Sequence, residues 1–240
     1  MFLLLLLCLA IAPGIAISVF VYWRDKFDKE PLYLLVKCFL LGLLSIIPAI
    51  IIELVSEKVF GVIVRTNGLN VAFHSFIIVG LSEEWSKYIF LCGFAYPKSD
   101  FNEPYDGITY SVMISMGFAT LENLMYVVNG GFSVAIMRMF LSVPAHATFG
   151  MIMGYYVGLA KFRNNSFRLR LTGLVAAVFF HGAFDFCLLI DSTPIIILGA
   201  IVSLIIGIIL SLKAIKHHSI ISPFNPTVSS EIQDDSLLHF

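Results

Sequence analysis

The fold class predicted for this chain of 240 residues is an all-α, polytopic membrane bundle of about seven transmembrane helices. Three observations predict it. Only 13% of the residues are Asp, Glu, Lys or Arg, where a soluble domain carries about a quarter. A further 59% are apolar and the mean hydropathy is +0.93. The apolar residues also fall in blocks long enough, at ~1.5 Å per residue, to cross a ~30 Å hydrocarbon core. So few charges cannot coat a water-facing surface. This excludes an ordinary cytosolic enzyme, a disordered chain and a basic nucleic-acid binder. The net charge of −1 carries no information about partners.

Residues 1–23 hold no charge before Arg24. Ala10-Ile11-Ala12 could serve a signal peptidase, but there is no basic n-region and the segment stays apolar to Trp23, so a retained first helix is expected. Further spans are expected at 36–56, 73–95, 107–128, 138–160, 170–190 and 194–213. Between them lie Arg24-Asp25-Lys26 to Pro31, Glu57 to Asn70, Pro97 to Asp106, Asn129-Gly130-Gly131, Arg163 to Arg170, and Asp191-Ser192-Thr193-Pro194. Residues 1–213 are read as one membrane domain with its motif core at about 73–190, and 214–240 as a cytoplasmic tail. The last twenty residues, with Pro223, Pro226, Ser229 and Ser230, read as disordered. Cys8, Cys38, Cys92 and Cys187 lie inside apolar blocks without metal-ligand spacing and read as small core residues.

Orientation follows from the basic residues of the short loops. Arg24, Lys26, Lys29, Lys98, Lys161, Arg163, Arg168, Arg170, Lys213 and Lys216 share one side, and Lys58, Arg65 and Arg138 the other. The richer side is expected to be cytoplasmic, which puts the N-terminus outside and the C-terminus inside.

Ionisable residues within spans are costly and mark pairing or function. Here they are Glu83, Glu84 and Lys87 in the third span, Glu122 in the fourth, His146 in the fifth, and His181 with Asp185 in the sixth. Counted from the outer ends, Glu83 lies ~15 Å in, Glu122 ~9 Å, His146 ~12 Å and His181 ~13 Å. Helices running in alternating directions thus place these groups in one layer of the outer half. Glu83 and Lys87 share a face and can pair, with Glu84 turned about 100° away, so one carboxylate is held while the other faces a cavity. Asp185, four residues after His181, can orient its imidazole. Glu122, Asn123 and Tyr126 add an acid, an amide and a phenol. Gly150, Gly154 and Gly158 form a small-residue ladder for close helix packing.

The blander readings are a structural ion pair for Glu83 and Lys87, and helix contacts for the histidines. Lys37 and Glu53 read as snorkelling near span ends, and His74 and His217-His218 as solvated. The common depth favours an active site. Buried carboxylates beside imidazoles suit water activation. A Zn²⁺ held by His146, His181 and Glu83 is a second reading, since no HExxH motif is present. Serine chemistry has only Ser82 to offer and no GxSxG elbow. A proton-coupled transporter or channel, with the same groups as a relay, is the rival from another class. A lipid-processing or scaffolding protein is a third.

Glu83-Glu84-x-x-Lys87, Glu122-Asn123-x-x-Tyr126, His146 in the next helix, and His181-x-x-x-Asp185 resemble the PrsW family of bacterial integral-membrane proteases. That family is similar to the CAAX-prenyl-protease and bacteriocin-processing group, and the Lys and the Glu-Asn motif favour the PrsW branch. The resemblance implies a multi-pass protein of the bacterial cell membrane. It also implies site-1 cleavage of a membrane-bound anti-sigma factor on its extracytoplasmic side, as a step in regulated intramembrane proteolysis and stress response. It assigns Glu83 or Glu84 as base, His181 as its partner, and His146 with Asp185 as support for the water or the oxyanion. It leaves metal dependence and oligomeric state open.

Overall fold

The computed structural model describes residues 2–60, 68–190 and 194–227. Among these every regular element is a helix, and there are no strands. The elements are α1 (Phe2–Arg24), α2 (Leu32–Phe60), α3 (Gly68–Phe73), α4 (Leu81–Phe90), α5 (Pro104–Phe140), α6 (Ser142–Lys161), α7 (Ser166–Leu189) and α8 (Pro194–Ile220). Two π-helical stretches, His74–Gly80 and Leu91–Ala95, join α3, α4 and the turn after α4 into one rod that covers the expected 73–95 span. Arg65, Asp191-Ser192-Thr193 and the tail residues Ser229 and Ser230 lie outside the described residues.

Among the described residues, five helical stretches are long and apolar enough to cross a membrane, and the longest of them, Pro104–Lys161, contains both α5 and α6. Their outward faces carry Leu40, Leu44, Ile47 and Ile51 on α2 and Ile205, Ile206 and Ile209 on α8, the dress of helices solvated by lipid. Cys38 is buried, whereas Cys8 sits on such an exposed face rather than in the core.

α5 is the axis of the bundle. Every residue from Glu103 to Thr120 is buried, as expected of a helix surrounded on all sides. It packs against α1, α2, α4, α6 and α8. Its start is specified by a capping box between Glu103 and Asp106 and by Pro104 in the first turn. Close approach is made by small residues: Gly107 faces Gly154 and Gly158 of the α6 ladder, and Gly42 of α2 faces Gly117. A Cβ at Gly42 or at Gly117 would stand 3.0 Å from the Cα of the other. Gly117→Leu should therefore push α2 off α5 and cost about 3 kcal/mol, read as a lower unfolding midpoint in detergent. An unchanged midpoint would show that this contact is not tight.

Sequence and structure differ at the end of α5. The helix was expected to stop near residue 128, but Asn129 and Gly130 are helical and the break falls at Gly131, at φ 68°. Residues 132–140 form a short stretch beyond that kink, and α6 begins only at Ser142. Arg138 thus belongs to this stretch and not to a span beginning at residue 138. At the other end of the bundle α8 runs to Ile220, and His218, expected to be solvated, is buried there.

The two ends of the bundle differ. The end where α1 begins and α2 finishes carries the layer of ionisable groups. The opposite end holds the connection after α1 and the start of α5. There Tyr105 Oη donates to the Val21 carbonyl at 3.1 Å, Asn102 Nδ2 donates to Asp28 Oδ2 at 2.9 Å, and Tyr110 Oη donates to Glu30. Burial, and then the charges of Glu103 and Glu30, push the Asp25 carboxyl up to about 8.

Candidate active site

Local packing explains how α4 reaches α7. Gly80, at the end of the π-helical stretch, lies against α7, where a Cβ would stand 3.3 Å from the amide nitrogen of Gly182. A Cβ on Gly182 would meet the Phe76 Cα at 2.8 Å. This glycine contact lies three residues before Glu83 and one after His181, and so brings the acidic pair to the imidazole. π-helical turns recur at functional sites because they shift side-chain phase over a short distance.

Glu84 and Lys87 form the back of the site. Lys87 Nζ donates to Glu84 Oε1 at 2.7 Å and stands 3.4 Å from Glu83 Oε2, 3.1 Å from His146 Nδ1 and 4.1 Å above the Phe118 ring. The expected Glu83–Lys87 pair is thus present, but Glu84 holds the ammonium more closely. Glu84 also meets His181 Nδ1 at 2.8 Å, and its second oxygen is buried without a partner. His181 Nε2 is 3.3 Å from Asp185 Oδ2 and 3.9 Å from Glu83 Oε2. The imidazole therefore touches three carboxylates. It stacks on Phe149 and meets His146 edge-on, with ring centroids 4.9 and 5.1 Å away.

His146 is held from the other side. Its Nε2 is 2.9 Å from Glu122 Oε2, and Ser115 Oγ donates to its carbonyl at 2.6 Å. Arg138 closes the group: it lies 2.7 Å from Glu122 Oε2, donates from Nε to Asn123 Oδ1 at 3.0 Å, and sits 4.2 Å over the Tyr126 ring. Asn123 Nδ2 in turn donates to the Ala10 carbonyl at 2.9 Å, tying α5 to α1.

A cavity of about 670 Å³ opens onto the group, lined by Glu83, Glu122, Arg138, His146, His181 and Asp185 among others. Glu84, Lys87 and Asn123 are not in its wall. The structure therefore separates the two acids: Glu83 faces the cavity and Glu84 lies behind it. Glu83, Glu84, Lys87, Glu122, His146, His181 and Asp185 all come together. Tyr126 is half exposed, lines the cavity and lies under Arg138.

Several lining residues escaped the sequence reading, among them Arg138, Glu53 and His74. Arg138 was counted among loop charges, although it follows a Gly-Gly pair that can turn a chain back over a site. Glu53 was read as snorkelling, yet it accepts from Ser82 Oγ at 3.1 Å and lines the cavity. His74 was read as solvated, yet it is buried and lines the cavity too.

The donors suit a metal. One ligand atom each from Glu83, Glu84, His146 and His181 lie within 4.8 Å of one another. Two imidazoles with carboxylate oxygens are a donor set for Zn²⁺, and the unpartnered Glu84 oxygen is a free acceptor beside it. The Lys87 ammonium already stands among these donors, 2.7 Å from Glu84, 3.4 Å from Glu83 and 3.1 Å from His146.

Residues 30–212 match the family model described as PrsW family intramembrane metalloprotease. The chain is 39% identical to Protease PrsW of Bacillus subtilis (strain 168) over 180 residues, which is 74% of this chain and 80% of that protein. It is 37% identical to Protease PrsW of Geobacillus kaustophilus over 185 residues, covering 77% and 80%. With Protease PrsW of Clostridioides difficile it shares 35% identity over 200 residues, covering 80% and 83%. No solved structure matches the chain.

Proposed function

Because the chain belongs to the PrsW family of intramembrane metalloproteases, we propose that it cleaves a membrane-anchored anti-sigma factor on the extracytoplasmic side, with Glu83 as general base. The observation that carries this reading is the position of Glu83 in the cavity wall, 3.9 Å from His181 and beside His146, while Glu84 is occupied behind it by Lys87. A general base must reach the water it activates. Glu83 does so from the cavity, and Glu84 does not.

In this account Glu83 takes a proton from the attacking water as the hydroxide oxygen bonds to the scissile carbonyl carbon. His181 is fixed by Glu84 and Asp185 and steadies the Glu83 carboxyl. The proton passes from Glu83 to the leaving amine as the C–N bond breaks. Arg138, in the cavity wall, faces the developing oxyanion, where a fixed positive group stabilises the transition state, and His146, held by Glu122, supports this side of the site. A Zn²⁺ would be held by His146, His181 and the unpartnered Glu84 oxygen, leaving Glu83 free as the base, and would supply a Lewis acid for the carbonyl and a lowered pKa for bound water.

Orientation belongs to the same proposal. Seven spans with the basic-rich connections inside place the N-terminus outside, the site end of the bundle toward the outer face of a bacterial cell membrane, and the substrate's outer segment within reach.

Co-expression of the chain with a single-span anti-sigma factor tests the reading, with loss of the full-length substrate as the readout. Wild type should cleave it and His181→Ala should not, at equal amounts of membrane-inserted protein. Cleavage by both, or by neither, contradicts the proposal. Glu122 acts through His146, as a positioning residue. Glu122→Gln weakens the 2.9 Å contact to Nε2 and should lower cleavage about 10- to 100-fold, the usual loss when the outer partner of a working imidazole is removed.

A further inference from the structure

At the end of the bundle away from the cavity, three acids converge from two distant segments. Asp25 directly follows α1, while Glu103 and Asp106 open α5. One oxygen from each lies within 4.8 Å of the other two. All three side chains are buried, with exposures of 2%, 1% and 0%. Each also carries a buried oxygen with no hydrogen-bond partner: Asp25 Oδ2, Glu103 Oε2 and Asp106 Oδ1. Burying one unpaired carboxylate oxygen is costly, and burying three in neighbouring side chains is costlier still.

The nearby Lys29 and Lys161 act on the acids through their charge without forming an ion pair with them. Lys29 lies 4.5 Å over the Tyr22 ring, and Lys161 donates to the carbonyls of Tyr96 and Lys98. The ion pairs among the described residues all lie in the cavity cluster, so none reaches Asp25, Glu103 or Asp106. The helix start serves them only in part: Glu103 and Asp106 share a capping box, in which Asp106 Oδ2 accepts from the amides of Asn102 and Glu103 at 2.7 and 2.8 Å, while Oδ1 takes no part in it. Glu30 adds a fourth carboxyl facing Asp106.

We propose that Asp25, Glu103 and Asp106 bind a hard divalent cation, Mg²⁺ or Ca²⁺, which clamps the end of α1 to the start of α5. The ligand set is all oxygen, without the imidazole or thiolate that would favour Zn²⁺. Oxygens ~2.3–2.6 Å from a Ca²⁺ lie up to ~5 Å apart, so the observed spread needs no rearrangement. Mg²⁺ needs the cluster to close slightly. The ion completes a seam already begun by Tyr105 with Val21 and by Asn102 with Asp28. Its place at the far end of the bundle separates it from the cavity donors.

The test is thermal unfolding of the purified full-length chain, stripped with chelator and then given Ca²⁺ or Mg²⁺ at pH 8. Wild type and Glu83→Gln, which alters the cavity donors, should both gain about 5 °C at a hundredfold excess over Kd. Asp25→Asn should gain nothing, and Glu103→Gln, a second and independent loss of a ligand oxygen, should lose most of the gain. The proposal is overturned if neither ion stabilises Glu83→Gln, or if Asp25→Asn gains as much as wild type.

Discussion

Glu83→Gln is expected to lower the rate of substrate cleavage about 1000-fold while leaving insertion and thermal stability near wild type. The rate loss is the contribution of a positioned general base. Stability should hold because Glu83 is the less engaged acid: its nearest charged partners are 3.4 and 3.9 Å away, and the amide is nearly the same size. Cleavage kinetics alongside an unfolding curve for the same preparation give both readouts. The companion Glu84→Gln should behave differently, because Glu84 holds Lys87 at 2.7 Å and His181 at 2.8 Å. That variant should lose stability as well as rate. If Glu83→Gln cleaved at more than a tenth of the wild-type rate, Glu83 would not be the base.

Lys87→Met should be the most destabilising single change in the cavity cluster. The ammonium is buried among Glu83, Glu84 and His146, and its removal leaves two carboxylates without their cation in a lipid-surrounded core. Breaking a buried pair from one side costs about 3–5 kcal/mol. The expected readout is loss of monodisperse protein in mild detergent, or a large fall in the unfolding midpoint. The double variant Lys87→Met/Glu84→Gln should recover part of that loss, since it removes the charge most in need of the ammonium. No recovery would mean that Lys87 acts through packing on the Phe118 ring rather than through its charge.

Much of this was legible in the residues because the membrane imposes simple rules. Backbone satisfaction in lipid leaves helices as the economical form, and long uncharged blocks reveal them. The same cost makes each intramembrane charge informative, which is why Glu83, Glu84, Lys87, Glu122, His146, His181 and Asp185 stood out before the helices were assembled. Comparison of their depths anticipated that they would meet.

The details that escaped depend on tertiary geometry. Which acid faces the cavity turns on a π-helical phase shift beside Gly80, and periodicity at 3.6 residues does not encode it. Arg138 was hidden because a charge near a span end looks like a topological marker. Only the break at Gly131 turns its segment back over Glu122. Glu53 and His74 were dismissed for the same reason, since nearness to a predicted boundary says nothing about what covers a side chain. The acids at the other end, Asp25, Glu103 and Asp106, read as ordinary loop charges until the chain brought α1 back to α5.

The central claim is that the chain hydrolyses a peptide bond with the groups around the cavity. Its most direct test is cleavage of a purified single-span anti-sigma factor by the purified chain in proteoliposomes, with mass spectrometry reading the new termini. The account predicts one cut at the outer end of the substrate's span, made by wild type and absent with Glu83→Gln. An intact substrate after incubation with folded wild-type protein, or the same cut made equally fast by Glu83→Gln, would contradict it.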